Sequence, residues 1–510
     1  MEKKWTRTFL GMLLALTLVS PCAALPAAAA DAGEAVPVTM FYVSPHSENV
    51  DGDVIKAYIK ENFGIDLIVT HSYDSWQQKY SLMLSSGTIP DLSIMPIANY
   101  MEYAEEGAFY DITDVVGDYP GILEYVGDYW PRLTYGGRVY GLPNLNVPGK
   151  YNFVYRKDWL DKLGMSAPTT QDELVEMLRA FTEDDPDGNG VKDTYGYAAY
   201  NTGSSIGGME MIYGMFGGAP NFYTDNDGVV DIGNISEGYK NALMFVKELV
   251  DKGYYDPESF TQKSDQYWQK FLRGQFGAFT GWWGDYAFPY LAYDMTETQP
   301  DAELALGDPI IGKDGHQGMI AYDPLAVVCA IGVNTKALDA IMPFIEWAMS
   351  DEGYRTLKYG TKGLYYDTDE EGNLTYYWQF NDNKRMDGVA VENVTEIYSI
   401  FQRLDIYKEQ LGGGVKSLDM SLEAFIKSSQ NPLLDNSFMG ITTDLYTEMM
   451  PDISKYVDEM RMKFITGSES FDNWDSYIRE YKRLGGIEVA ESLLEKYNEM
   501  YDKDSVLKEY

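Results

Sequence analysis

Asp185, Asp187, Asn189 and Asp193 fall at positions 1, 3, 5 and 9 of the register by which a short acidic loop wraps a hard divalent cation. Gly190 stands at the turn, and Val191 is placed to offer its backbone carbonyl. Oxygen donors at that spacing fold around one centre, so calcium is the expected ion. Position 12, where such loops carry a bidentate Glu, is Gly196. Either another segment completes the sphere or binding is weak. The competing expectation is an ordinary surface turn, because Asp, Asn, Gly and Pro are what turns contain.

A second constellation is TGWWGDYAF, in which Trp282 and Trp283 stand between glycines with Asp285 close behind. Indole faces stack on the C–H surface of a pyranose, and a carboxylate accepts hydrogen bonds from two hydroxyls. The structural alternative is that one Trp plugs the core. Further ligand candidates are Asp91 at the start of PDLSIM, Asn144 just after RVYGLP, Tyr151 and Trp378, each with a structural alternative. Asp91 would cap a turn and Tyr151 would fill a core. The pair Asp184 and Asp185 and the acidic run 367–371 read as solvated faces or metal ligands, not catalytic acids. No H-E-x-x-H or phosphate loop occurs, and His46, His71 and His316 are not spaced as a zinc pair. With 42 Tyr and 10 Trp, flat amphipathic faces are plentiful.

These groups need elements to hold them. The chain opens with Lys3, Lys4 and Arg7, an apolar run at 9–19 and the small-residue segment AALPAAAAD, which reads as a secretory signal peptide cut after Ala30. The run is too short for a membrane span. Lipid attachment at Cys22 is disfavoured because Pro21 precedes it, where lipoprotein signals place Gly, Ala or Ser. Losing Glu2 and those three bases takes the formal charge from -39 to -41, a field that repels nucleic acid and anionic lipid. The mature chain keeps only Cys329, within LAVVCAIGV, so it forms no internal disulfide.

The mature start alternates as a parallel α/β unit does. VPVTMFYV is a strand, DVIKAYIKENFG a helix stopped by Gly64, IDLIVT a strand, SWQQKYSLMLSSG a helix and PDLSIM a strand. After RVYGLP the pattern restarts with YNFVY and a short helix closed by Gly164. Thr170 and Glu173 form a capping box for QDELVEMLRAF, and Ser236 caps YKNALMFVKELVDKG. LAVVCAIGV is a buried strand, and Pro343 is expected to kink the helix that follows it. DTDEEGNLTYYWQF predicts a hairpin, and beyond about residue 417 the chain is almost wholly helical. Two or three compact units suit 510 residues.

In order and spacing, YSLMLSSGTIPDL, RVYGLP, YRKDWLDKLG, DPDGNGVKDTYG, FIEWAMSDEGYRTLKYGTKG and FITGSESFDNWDSYIREYKRLGG resemble the extracellular solute-binding proteins of bacterial ABC importers. Within that family they are similar to the large LplA-like, family 1 sugar-binding branch, over nearly the whole mature chain. The resemblance implies an α/β, two-lobe fold of the type II periplasmic-binding-protein kind, with a hinge, an interlobe cleft and a helical C-terminal region. It implies a first lobe of residues 36–147 plus about 304–358, and a second of 148–303 plus about 359–510. It also implies a structural calcium held by Asp185, Asp187, Asn189, Val191 and Asp193, remote from the ligand.

The expected function is capture of a carbohydrate, an oligosaccharide in the first instance, and its delivery to ABC-transporter permease subunits by a secreted monomer that is not an enzyme. One rival is a secreted glycan hydrolase, which needs two carboxylates about 5–9.5 Å apart. Another is a peptide-type solute binder on the same fold. A cleft rich in Trp and poor in charge favours sugar.

Overall fold

The computed structural model describes residues 35–43, 52–72, 75–201, 208–220, 222–224, 229–289 and 295–360, short stretches between 366 and 403, and 416–509 apart from 435–437 and 439. The leader, its cleavage site and Cys22 lie outside the described residues. Nine strands build two principal sheets: β1 (Val36–Val43), β2 (Ile65–Ser72), β3 (Leu92–Pro96), β4 (Gly141–Asn144), β5 (Tyr151–Arg156), β6 (Tyr195–Tyr197), β7 (Phe276–Trp282), β8 (Leu304–Gly307) and β9 (Val327–Ile331).

The first sheet runs β2-β1-β3-β9-β4, with β1 parallel to β2 and β3, and β9 antiparallel to both β3 and β4. Helices Gly52–Phe63 and Trp76–Ser86 make the two crossover connections that parallel pairing requires. Edge strand β2 alternates buried and exposed residues, whereas β3 and β9, inside the sheet, are buried almost throughout. Val38, Phe41, Ile55, Ile94, Leu142, Ile341 and Ile345 form one core here, and Cys329 is buried within it.

The second sheet runs β8-β5-β7-β6, with β5 antiparallel to both neighbours and β7 parallel to β6. Its core joins Phe153, Trp159, Leu178 and Phe181 to Phe464, Tyr477 and Leu493 of the C-terminal helices Asp444–Ile465, Trp474–Arg483 and Gly486–Tyr501. The expected capping box is present: Glu173 N donates to Thr170 Oγ1 at 3.4 Å and Thr170 N to Glu173 Oε2 at 3.0 Å. Hydrogen bonds from Thr169 N and Thr169 Oγ1, with Thr170 N, hold the Glu173 carboxyl down at about 2. Ser236 caps its helix by accepting from Tyr239 N at 3.1 Å. The predicted hairpin forms between Tyr366–Thr368 and Leu374–Tyr376. Pro343 is accommodated within a single helix, Leu338–Met349.

One boundary moves. β8 pairs with β5, Ala305 opposite Tyr155, so residues 304–307 belong to the second sheet and the chain rejoins the first sheet at β9. The return lies between β8 and β9, where Met319–Ile320 runs parallel to Leu433–Leu434. Beside it, Asn146 N donates to Pro324 O at 2.7 Å and Tyr322 N to Pro148 O at 2.8 Å, tying this crossing to the first one. Below lies a bidentate pair, Arg132 to Asp323 at 2.7 and 2.8 Å, both side chains buried. Gly440, at φ 76°, passes so close that an added Cβ would stand 2.2 Å from Arg132 Nη2. Among the described residues, no helix is long and apolar enough to cross a membrane.

Candidate functional site

In the first sheet Pro96, Val327 and Asn144 are paired neighbours, so the C-terminal ends of β3 and β4 share an edge with the start of β9. The chain leaves that edge at Asn144 and enters the second sheet at Tyr151, which pairs directly with Trp282 at the end of β7. The first crossing therefore brings the open edges of both sheets together, the place where α/β folds bind ligands.

Lys150, on that crossing, accepts Trp283 N at its carbonyl (2.9 Å) and lays its ammonium 3.7 Å from the centroid of Tyr322 and 5.3 Å from that of Trp282. Two aromatic faces thus hold the cation, and it has no carboxylate partner among the described residues. Burial lowers the Lys150 ammonium to about 8, with Asp285 opposing the shift. Asp285 accepts Trp282 N at Oδ2 (2.8 Å), and burial raises its carboxyl to about 7 against the pull of that amide and of Lys150. Gly281 is required here, because a Cβ on it would lie 2.7 Å from Asp285 Oδ2.

Glu210, the first residue of helix Glu210–Met215, joins the same cluster. Burial raises it to about 7, the amides of Glu210 and Gly208 pull it down, and the Asp285 charge adds to the rise. Its Oε2 is buried and has no hydrogen-bond partner. Tyr151 and Tyr200 feel both carboxylates, and burial lifts the Tyr200 phenol to about 12. Lys150, Tyr151, Tyr200, Glu210, Asp285 and Tyr322 are all half-buried. Groups that are crowded enough to be desolvated yet still open to solvent line a concavity.

The adjacent tryptophans part company. Trp282 is 41% exposed, whereas Trp283 is 7% exposed and meets Phe425 edge-on at 5.7 Å in a small core with Trp268 and Phe279. Trp283 is therefore a core plug. Asn144 stands on the cleft edge, and its side chain makes no hydrogen bond within the described residues. Asp91 does not: it precedes β3, at the far end of the sheet, and its Oδ2 accepts both Thr39 N (2.8 Å) and Thr39 Oγ1 (2.7 Å). Its carboxylate ties the entry of β3 to β1. Trp378 pairs with Arg385 through the backbone, and its side chain lies outside what is described. Lys150, Tyr200, Glu210 and Tyr322 are missed by the sequence reading. The lone acid inside GGMEMIYG was the available signal for Glu210. A groove of about 660 Å³ beside Met244 and Lys313 shares no residue with this cluster.

The acidic loop lies elsewhere in the second lobe. Asn189 Nδ2 donates to Asp187 Oδ2 at 2.8 Å and to Asp193 Oδ1 at 3.2 Å, while Asn189 Oδ1 accepts Val191 N at 2.6 Å. An amide NH2 between two carboxylates stands where a cation would. Burial pushes the Asp187 carboxyl up, with Asp193 and Asp185 adding to it, and Asp185 Oδ1 is buried without a partner. Those oxygens suit a hard divalent ion. As the side chains stand, no group of three or more His, Cys, Asp or Glu among the described residues is arranged to hold one. Gly196 at position 12 has a steric cause: its Cβ would lie 2.5 Å from the Leu178 carbonyl oxygen, so a Glu there is excluded.

Residues 46–355 match the family model described as bacterial extracellular solute-binding protein. The chain is 24% identical over 438 residues, 83% of each chain, to the polygalacturonan/rhamnogalacturonan-binding protein YtcQ of Bacillus subtilis. Its fold is similar to that of the Streptococcus pneumoniae ABC-transporter substrate-binding protein FusA in complex with kestose, with a TM-score of 0.68 and 20% identity over 92% of this chain and 99% of that one. An EF-hand mutant of FusA with fructo-nystose gives 0.66 at the same identity and coverage. These structures share the type II periplasmic-binding-protein-like fold, the two-lobe architecture that the sequence predicted. Because the family match spans more than half of its length, the chain belongs to the bacterial extracellular solute-binding proteins.

Proposed function

We propose that this protein captures an oligosaccharide in the cleft between its lobes and presents the closed form to the permease of an ABC importer. The observation that carries the reading is the exposed Trp282 face beside the desolvated carboxylates Asp285 and Glu210, at the meeting edge of the two sheets. An indole platform with flanking hydroxyl acceptors is the chemistry a pyranose or furanose ring requires. The sugar complexes named for FusA, and the pectin-type ligands named for YtcQ, support the class. Asn144 and Tyr151 complete the contact set from the first crossing. On this reading the first lobe takes residues 36–147 and rejoins after the second crossing up to about 358, the second lobe takes the rest, and closure is a hinge motion about the crossings.

The chain is exported through the leader 1–30 and works as a monomer, with Pro21 disfavouring a lipid anchor at Cys22. The acidic loop holds a structural calcium through Asp185, Asp187, Asn189, Asp193 and the Val191 carbonyl. Support comes from the orphaned Asp185 oxygen and from the EF-hand named in the FusA mutant.

The test is a thermal-shift and calorimetric panel of defined oligosaccharides and peptides against the purified mature chain. Saturable stabilisation by an oligosaccharide is expected. Stabilisation by peptides alone would overturn the reading. The pair Glu210 and Asp285 also gives a hydrolase reading a specific foothold. In such an enzyme one carboxyl stays protonated while the other is ionised. Unchanged oligosaccharide after prolonged incubation is expected, and release of new reducing ends would establish hydrolysis.

A further inference from the structure

We propose that the Glu210–Asp285 carboxylate pair makes this cleft select neutral, hydroxyl-bearing saccharides and reject oligomers of uronic acids. The inference rests on the saccharide-capture reading and narrows it to a ligand class. That choice is open among its relatives, since YtcQ is named for acidic pectin polymers and the FusA complexes hold kestose and fructo-nystose.

The argument is one of charge and unfilled hydrogen-bond capacity. Glu210 and Asp285 come from different elements, one at the head of a helix and the other behind the end of β7, and the Asp285 charge acts on Glu210. Glu210 Oε2 is buried with no protein partner, and Asp285 Oδ1 accepts nothing from the described residues. Two acceptor oxygens are left for the ligand to satisfy. A sugar hydroxyl donates to such an oxygen, and a uronate carboxylate cannot.

Lys150, the one cation acting on Asp285 among the described residues, does not reverse this. Lys150 is spread over the faces of Tyr322 and Trp282, and its charge already interacts with Asp285. The phenols of Tyr151 and Tyr200 face the same carboxylates and stay neutral across the physiological range. A uronate entering here meets two like charges and one engaged cation, an arrangement that discriminates against it. Where the carboxyls are protonated they still offer hydrogen bonds to hydroxyl oxygens, so a neutral sugar is accommodated in either state.

The experiment is calorimetry at pH 8 with a neutral panel, comprising kestose, cellotriose and lacto-N-tetraose, against trigalacturonate and an alginate trisaccharide. The wild type, Glu210→Gln and Asp285→Asn are compared in low salt, with the melting temperature of each variant recorded. The expected result is a best neutral ligand bound at least about tenfold more tightly than either uronate, with that ratio falling at least about threefold in Glu210→Gln or Asp285→Asn. The ratio is the readout because a general loss of packing would weaken both ligand classes. If a uronate binds as tightly as any neutral sugar, the charge argument is overturned while saccharide capture stands. If neutral sugars win but neither variant moves the ratio, the assignment to this pair is overturned. If no saccharide of either class binds, the capture reading and the inference fall together.

Discussion

Trp282 and Trp283 are neighbours in sequence with opposite environments, and their truncations separate binding from stability. Trp283→Ala removes a buried ring from the small core around Phe425 and should cost about 3–5 kcal/mol in chemical denaturation. Trp282→Ala should cost less than about 1 kcal/mol yet weaken oligosaccharide binding at least about tenfold. Equal stability losses, with binding intact in Trp282→Ala, would remove that ring from the site. Glu210 has a pH signature of its own. Its folded carboxyl is raised from an ordinary 4.5 to about 7, so it binds its proton more tightly folded than unfolded. Its stabilising contribution is full below about 4.5 and is lost as pH rises through 7. The stability of the wild type relative to Glu210→Gln should therefore fall between pH 5 and pH 8, and a pH-independent difference would contradict the desolvated environment. Trp282 and Asp285 were legible because paired indoles between glycines, with an acid behind them, are an unusual string. Glu210, Lys150, Tyr200 and Tyr322 were not. A carboxylate becomes a functional group through burial and neighbours, and those neighbours come from four separate segments.

At the scale of elements, local rules held where the signal is local. The Thr170–Glu173 box, the Ser236 cap and the αL Gly164 stop lie where the spacing put them, because a cap is satisfied within four residues of itself. The acidic loop is also local in composition, but its ligand set is not. Gly196 occupies the place of the bidentate Glu because β6 lies hard against Leu178 of the preceding helix. With that ligand missing, calcium binding is expected to be weak, and metal removal tests it. Chelator should lower the melting temperature by a few degrees, calcium at millimolar concentration should restore it, and Asp187→Ala should abolish both responses. If chelator leaves the parent unchanged, the loop is a turn. β8 shows the converse failure. A strand of four residues such as LALG carries no mark of which sheet it joins, and its pairing with β5 places it in the second.

Across the whole molecule, two cores are tied by crossings that must bend without breaking. The Arg132–Asp323 pair sits under that junction, bidentate and buried, with Asp323 Oδ1 also accepting Leu325 N at 2.9 Å. Removing one partner leaves an uncompensated buried charge, so Asp323→Ala should cost about 3–5 kcal/mol. Equilibrium denaturation checks the magnitude, and a loss below about 1 kcal/mol would show that the guanidinium finds water instead. The sequence by itself determined the α/β alternation, the caps, the strand around Cys329, the export leader as an expectation and the family to which the order of motifs points. Those properties depend on periodicity and on contacts a few residues apart, which a chain carries in one dimension. The tertiary structure decided that Trp283 is core and Trp282 is not, that Asp91 bonds to β1 at the far end of the first sheet, that β8 belongs to the second sheet, and that Glu210 and Asp285 are both desolvated. Each of those depends on which distant segments exclude water from a given atom, and that is settled only when the two sheets meet.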